Sequence, residues 1–173
     1  ETLPEDYLPE DFGSTWFPGF GAVMRADTGT PDETYVSLRN GYNISHSDPN
    51  QGDFTFYAQG APLITLSLKQ YPLQQVKAVG NLENTFGWHS TPRFGKQKQG
   101  RAWPGGGVYG GVPSYSFSDS IDYLRAWGDY KNTRWTRQMM MVKKQAPTGN
   151  TYLVLRDSFA AIKGDTANTV WWN

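Results

Sequence analysis

Thr34-Tyr35-Val36-Ser37-Leu38-Arg39 alternates Val36 and Leu38 with more polar neighbours, the period of a strand with one buried face. Upstream, Phe20-Gly21-Ala22-Val23-Met24-Arg25 runs into Asp27-Thr28-Gly29-Thr30-Pro31-Asp32, so the two segments predict an antiparallel hairpin with a long loop. Downstream, Asp53-Phe54-Thr55-Phe56-Tyr57-Ala58 alternates again. Gln59-Gly60-Ala61-Pro62 then turns the chain into the more continuously apolar Leu63-Ile64-Thr65-Leu66-Ser67-Leu68. Continuity of apolar residues predicts that this second pair is the more buried.

The same signal returns in Tyr115-Ser116-Phe117, in Ile121 to Trp127, in Trp135 to Val142 and in Thr151 to Asp157. The last two are expected to form a hairpin across Ala146-Pro147-Thr148-Gly149-Asn150, and Thr169-Val170-Trp171-Trp172-Asn173 is strand-like. From about Leu73 to Pro113 the pattern loosens around Phe86, Trp88 and Trp103 and the run Pro104-Gly105-Gly106-Gly107, which reads as long surface loops with short strands. No stretch combines helical spacing with freedom from Gly and Pro. The expectation is all-β: one antiparallel β-sandwich domain over residues 1–173, with long loops and eight to ten short strands.

The 173 residues suffice for a hydrophobic core. Sixteen basic residues balance sixteen acidic ones, which removes the cationic excess that drives non-specific nucleic-acid binding. Apolar runs fall far short of the ~20 residues of a helical membrane span. Cysteine is absent, so disulfides and thiolate sites are excluded, while the compartment stays open. The chain opens Glu1-Thr2-Leu3-Pro4, without initiator Met or a basic-then-apolar leader, which reads as a processed or excised piece. Charged residues make up 18% and aromatics 15%, and there are seven Trp, a composition suited both to a sandwich core and to stacking on sugar faces.

One loop concentrates polar chemistry. Asn40-Gly41-Tyr42-Asn43-Ile44-Ser45-His46-Ser47-Asp48-Pro49-Asn50-Gln51-Gly52-Asp53 holds an imidazole, carboxylates, amides and a Tyr between two strands, which suits proton transfer or polar ligand binding as well as an Asx-rich turn. A second cluster, Trp88, His89, Arg93, Lys96, Lys98, Arg101 and Trp103, combines cations with indoles. That suits an acidic sugar chain, since guanidinium pairs bidentately with carboxylate or sulfate. Met139-Met140-Met141 reads as strand core with one residue turned outward. Asp119, Asp122 and Asp129 fit turn and strand-end roles better than a pair of hydrolytic acids.

Gly19-Phe20-Gly21-Ala22-Val23-Met24-Arg25, Tyr35-Val36-Ser37-Leu38-Arg39-Asn40-Gly41, His46-Ser47-Asp48-Pro49-Asn50-Gln51-Gly52-Asp53-Phe54 and Gly60-Ala61-Pro62-Leu63-Ile64 together resemble, in order and spacing, the β-sandwich domain of the heparinase II/III-like polysaccharide lyases. Asp122-Tyr123-Leu124, Trp135-Thr136-Arg137 and Arg156-Asp157 extend a weaker similarity over nearly the whole chain. The resemblance implies β-elimination on uronic-acid polysaccharides: the C5 proton is removed and the C4 oxygen leaves. The uronate charge must then be offset while a Tyr or His takes the proton. It also implies a secreted or periplasmic bacterial protein, an acidic polysaccharide as partner, and an N-terminal helical toroid that this chain lacks.

In that family the loop reads His-x-His-x-Asp-x-Gly-Ser-Phe. His46 falls on its first, catalytic position; Tyr42 and Asn50 are expected to support it by hydrogen bonding, and the cationic and aromatic cluster offers Trp88, Arg93, Arg101 and Trp103 as substrate-binding residues. The second His, a zinc ligand in some members, is replaced by Asp48. Leu66 stands eighteen residues on, where the family has a ligating Asp, and Glu83 and His89 lie near the distal His. The expectation is therefore no resident cofactor, or a hard divalent ion held by Asp48, Glu83 and His89 in place of zinc. Two rival readings accompany the lyase: a non-catalytic carbohydrate-binding sandwich using the Trp88 to Trp103 loop, and an assembly domain whose final strand pairs with a partner.

Overall fold

The structure is a computed structural model, described here over residues 12–43, 51–65, 90, 93–94, 107–108, 110–130, 133–144, 149–162 and 170–171. Thirteen strands lie within these residues: β1 (Thr15–Phe17), β2 (Gly21–Ala26), β3 (Thr34–Arg39), β4 (Tyr42–Asn43), β5 (Asp53–Ala58), β6 (Ala61–Ile64), β7 (Arg93–Phe94), β8 (Gly107–Val108), β9 (Gly110–Ser116), β10 (Ile121–Tyr130), β11 (Thr133–Val142), β12 (Tyr152–Ala161) and β13 (Val170–Trp171). No helix occurs among the described residues.

Two antiparallel sheets form the β-sandwich, one ordered β1-β2-β3-β5-β6 and the other β12-β11-β10-β9. Period-2 alternation decides which side chains face inward. Ala22, Met24, Val36, Leu38 and Phe54 of the first sheet meet Val112, Leu124, Ala126, Trp135, Met139 and Met141 of the second in one buried cluster. Met139 and Met141 are core and Met140 is half-buried on the opposite face, as the Met run predicts. β10, β11 and β12 are each ten residues long, not short as expected.

The β2–β3 and β11–β12 hairpins form as read from the sequence. The burial ranking does not hold. β6 is the edge strand of its sheet, and Leu63 is 60% exposed, so the β5–β6 pair is less buried than β2–β3. An apolar run without a neighbour on one side stays in contact with solvent whatever its composition.

Gly110-Gly111-Val112-Pro113, at the end of the stretch read as long loops with short strands, begins the seven-residue edge strand β9. The register slips there, because Ser114 faces Arg125 while Gly111 faces Trp127, so Val112 and Pro113 both stand against Ala126. A bulge at an edge is where a strand accommodates proline, which has no N–H for a ladder. Val170 and Trp171 pair with Phe94 and Arg93, so this last strand has a partner within the chain.

Asp122 and Asp129 take structural roles, and Asp119 is exposed. Asp122 is buried, accepts from the Ser14 hydroxyl and the Ser118 N–H, and pairs with Lys143 at 3.0 Å. Asp129 holds Arg134 through two bonds of 2.7 Å, which raise the Arg134 pKa above its ordinary value.

Of the glycines with left-handed backbone, Gly60 and Gly52 hold it for different reasons. Gln59 and Gly60, with φ of 53° and 74°, form the two-residue turn between β5 and β6, and a Cβ on Gly60 would meet open space. At Gly52, φ is 77° and a Cβ would lie 2.3 Å from the Trp135 indole. Gly60→Ala is therefore expected to lose about 1 kcal/mol from backbone strain alone. Gly52→Ala adds overpacking and should lose about 3 kcal/mol; urea unfolding of the two variants checks the difference.

Candidate functional site

The His46-bearing loop leaves β3 at Asn40 and returns to β5 at Asp53, and its two ends are locked together. The Gln51 side chain accepts from the Gly41 N–H at 2.8 Å and donates to the Gly41 carbonyl at 2.7 Å, imitating a strand partner. The Gly52 N–H donates to the Arg39 carbonyl at 2.7 Å. Gln51 and Asn40 are both 1% exposed, so these bonds are made away from water, where leaving a polar group unpaired is costly.

Asn40 ties this neck to the second sheet. Its Nδ2 donates to the carbonyls of Gly111 at 2.8 Å and Trp127 at 2.9 Å, which fixes which way the amide points. Its Oδ1 is buried with no hydrogen-bond partner among the described residues, because turning the amide over would set that oxygen against two carbonyls. Arg39, the last residue of β3, donates to the Phe20 carbonyl at 2.9 Å and lies 4.5 Å above the Phe20 ring. Partial burial lowers its pKa from the ordinary arginine value.

A second segment is fastened beside the first. Asp53 Oδ1 accepts from the Ser90 N–H at 2.8 Å, the Ser90 hydroxyl at 2.5 Å and the Phe54 N–H at 3.0 Å. Arg137 completes the join from β11: its Nη1 donates to the carbonyls of both Gly52 and Ser90. Its Nε and Nη2 grip Asp157 bidentately at 3.0 and 2.9 Å, with side-chain exposures of 0% and 2%. The guanidinium stands 5.2 Å from the Phe54 ring centre and 5.9 Å from that of Trp135.

A third segment arrives by strand pairing. Tyr42 faces Val108 and Asn43 faces Gly107 in antiparallel register. The chain continuing from Asn43 toward His46 therefore starts beside the chain that arrives at Gly107 from Trp103.

Of the residues singled out from the sequence, Tyr42 lies in β4 and Arg93 in β7. His46, Asp48, Asn50, Leu66, Glu83, Trp88, His89, Arg101 and Trp103 lie outside the described residues. The described backbone nonetheless gathers the stems that carry them. His46 and Asn50 sit between Asn43 and Gln51, His89 precedes Ser90, and Trp103 is four residues before Gly107. A cavity of about 290 Å³ at the opposite end of the sandwich is lined by Asp27, Asp32, Thr34, Gln59, Lys144 and Asn150, and none of the sequence-predicted residues contributes to it.

Gln51, Ser90, Arg137 and Asp157 build the site's base, and the sequence reading gave them no role there. Arg137 was legible in principle, since it occupies an inward position of β11 between Trp135 and Met139, where a cation demands a partner. Asp157 sits directly opposite it in register. Among the described residues no group of three or more His, Asp or Glu is arranged to hold a metal, and the metal candidates Asp48, Glu83 and His89 lie outside those residues. No protein-family model matches the chain, and no curated protein matches it.

Breaking the buried Arg137–Asp157 pair should be felt far more than breaking an exposed one. Arg137→Met leaves Asp157 buried without its cation and is expected to lower unfolding free energy by about 3–5 kcal/mol. Arg134→Ala, at a solvent-facing pair, should leave the urea midpoint almost unchanged. Gln51→Ala orphans both Gly41 groups and should cost about 1–3 kcal/mol in the same measurement.

Proposed function

We propose that this chain is the β-sandwich part of a polysaccharide lyase that cleaves uronic-acid-containing chains by β-elimination. It works with a helical domain, in a secreted or periplasmic setting. The observation that carries the reading is the convergence of three stems at one end of the sandwich: Asn43–Gln51 around His46, Ser90 beside Trp88 and His89, and Gly107 downstream of Arg101 and Trp103. A polymeric acidic substrate needs a proton acceptor, hydrogen-bond donors for the carboxylate, and aromatic or cationic contacts along neighbouring sugars. The three segments rooted here contain those residue types.

In this reading His46 accepts or relays the C5 proton. Tyr42 and Asn50 donate hydrogen bonds that offset the uronate charge as it spreads onto the carboxylate, and the C4 oxygen departs with the glycosidic bond. Trp88, Arg93, Arg101 and Trp103 hold the flanking sugars. The proton transfer is assigned to side chains, and no step passes through a metal.

A carbohydrate-binding module without turnover is the second reading, favoured by the same cationic and aromatic cluster taken without His46. The two separate in one experiment. Incubation of the full-length protein with alginate, chondroitin-like and heparin-like chains should raise the ultraviolet absorbance of the unsaturated uronate, and His46→Ala should slow that rise by about 10²–10⁴-fold while leaving the fold intact. An unaltered rate overturns the role of His46. Retention without any rise, lost in Trp88→Ala or Arg93→Ala but kept in His46→Ala, establishes the binding module instead.

A further inference from the structure

The outer face of the β12-β11-β10-β9 sheet is assembled from side chains that the core does not use. On β10 the residues Asp122, Leu124, Ala126 and Gly128 point inward, so Tyr123, Arg125, Trp127 and Asp129 point out. Register extends these positions into rows across the sheet. One row runs Ser114, Arg125, Gln138, Arg156, and the next runs Gly111, Trp127, Thr136, Ser158. Beyond them Arg134 lies opposite Asp129, with its guanidinium 4.9 Å over the Trp127 ring.

The second of these rows is low except for its indole, since Gly111, Thr136 and Ser158 are small. The rows on either side carry the arginines. Arg125 and Arg156 are exposed, and neither meets a carboxylate among the described residues; Arg156 donates to the neutral Gln138 amide at 3.2 Å. The face's one acid at these positions, Asp129, is already held by Arg134. Among the described residues, a protein of zero net charge thus presents a cationic face without matching acids, bordered by hydroxyls and an amide.

From this juxtaposition we infer that the outer face of the four-stranded sheet is an accessory binding surface for an acidic polysaccharide, running across the strands over Trp127 between Arg125 and Arg156 on one side and Arg134 on the other. The ligand class rests on the function proposed above, while the surface is separate from the loop site. Arginine forks match carboxylates or sulfates in a way that lysine does not, and an indole packs on the apolar C–H face of a pyranose. Gln138, Thr136 and Ser158 offer hydrogen bonds to hydroxyls. Arg125 and Arg156 stand two strands apart, about 9.5 Å between their backbones, a spacing comparable to the rise of a disaccharide in an extended chain. A second copy of this chain is disfavoured as occupant, because it would set these cations against themselves.

The test measures retention of the full chain on polygalacturonate, alginate and chondroitin sulfate by affinity electrophoresis, with dextran as neutral control. Arg125→Ala/Arg156→Ala is expected to weaken retention on at least one acidic polymer by about tenfold or more. Lys144→Ala, which removes an exposed cation at the far end of the sandwich, should leave it in place, and added salt should weaken the parent's binding. Arg125→Glu, a single change at an exposed position, serves as a second variant if the double substitution unfolds, and circular dichroism reports the fold of both. Retention within about twofold of the parent in the folded variants overturns the inference, as does failure of the parent to bind any of the three acidic polymers. Failure of the lyase reading shows separately, as face-dependent retention with no unsaturated uronate formed.

Discussion

The buried cation Arg137 organises the end of this sandwich from which the candidate loops depart. The Arg137 guanidinium is removed from water, and such a charge persists only where its hydrogen-bonding capacity is met. Asp157 supplies the counter-charge from the neighbouring strand, and the carbonyls of Gly52 and Ser90 complete the arrangement. These last two belong to segments far apart in sequence, so the need to satisfy one side chain fixes where both loop stems arrive. Asp53 then joins the same stems a second time through Ser90 and Phe54.

Above that base the neck is narrow. Gln51 closes the loop on Gly41, Asn40 anchors it to the opposite sheet, and the Trp135 indole fills the space that the bare backbone of Gly52 leaves. The scaffold is thus strongly specified up to the residues where chemistry would begin. The elements that carry candidate ligand contacts emerge from one end, while the opposite end offers a shallow polar cavity framed by Asp32, Lys144 and the β5–β6 turn. That division fits the general rule that a rigid framework positions loops and the loops carry function.

Much of the framework was legible because strand periodicity is local. Val36 with Leu38, and Trp135 with Met139 and Met141, announce their inward faces two residues at a time, and the turns between hairpins carry their own residue signals. What escaped notice depends on neighbours that periodicity does not encode. The exposure of Leu63 follows from β6 being an edge, and the strand at Gly110 to Pro113 follows from pairing with Trp127 and Arg125 through a bulge. Likewise, nothing in the run around Ser90 signals that its backbone and hydroxyl would be claimed by Asp53. For the loop chemistry, the sequence offered residue types and a family likeness, and the fold contributes a common place of attachment for the stems.

The Gln51 closure carries one more consequence. Because its amide completes the pairing across Gly41, the mechanical continuity between β3 and β5 does not pass through the residues between Asn43 and Gln51. The spacing and direction of the two loop ends are therefore held by the Gly41–Gln51 closure itself. A sandwich organised in this way is a receptive chassis for loop grafting.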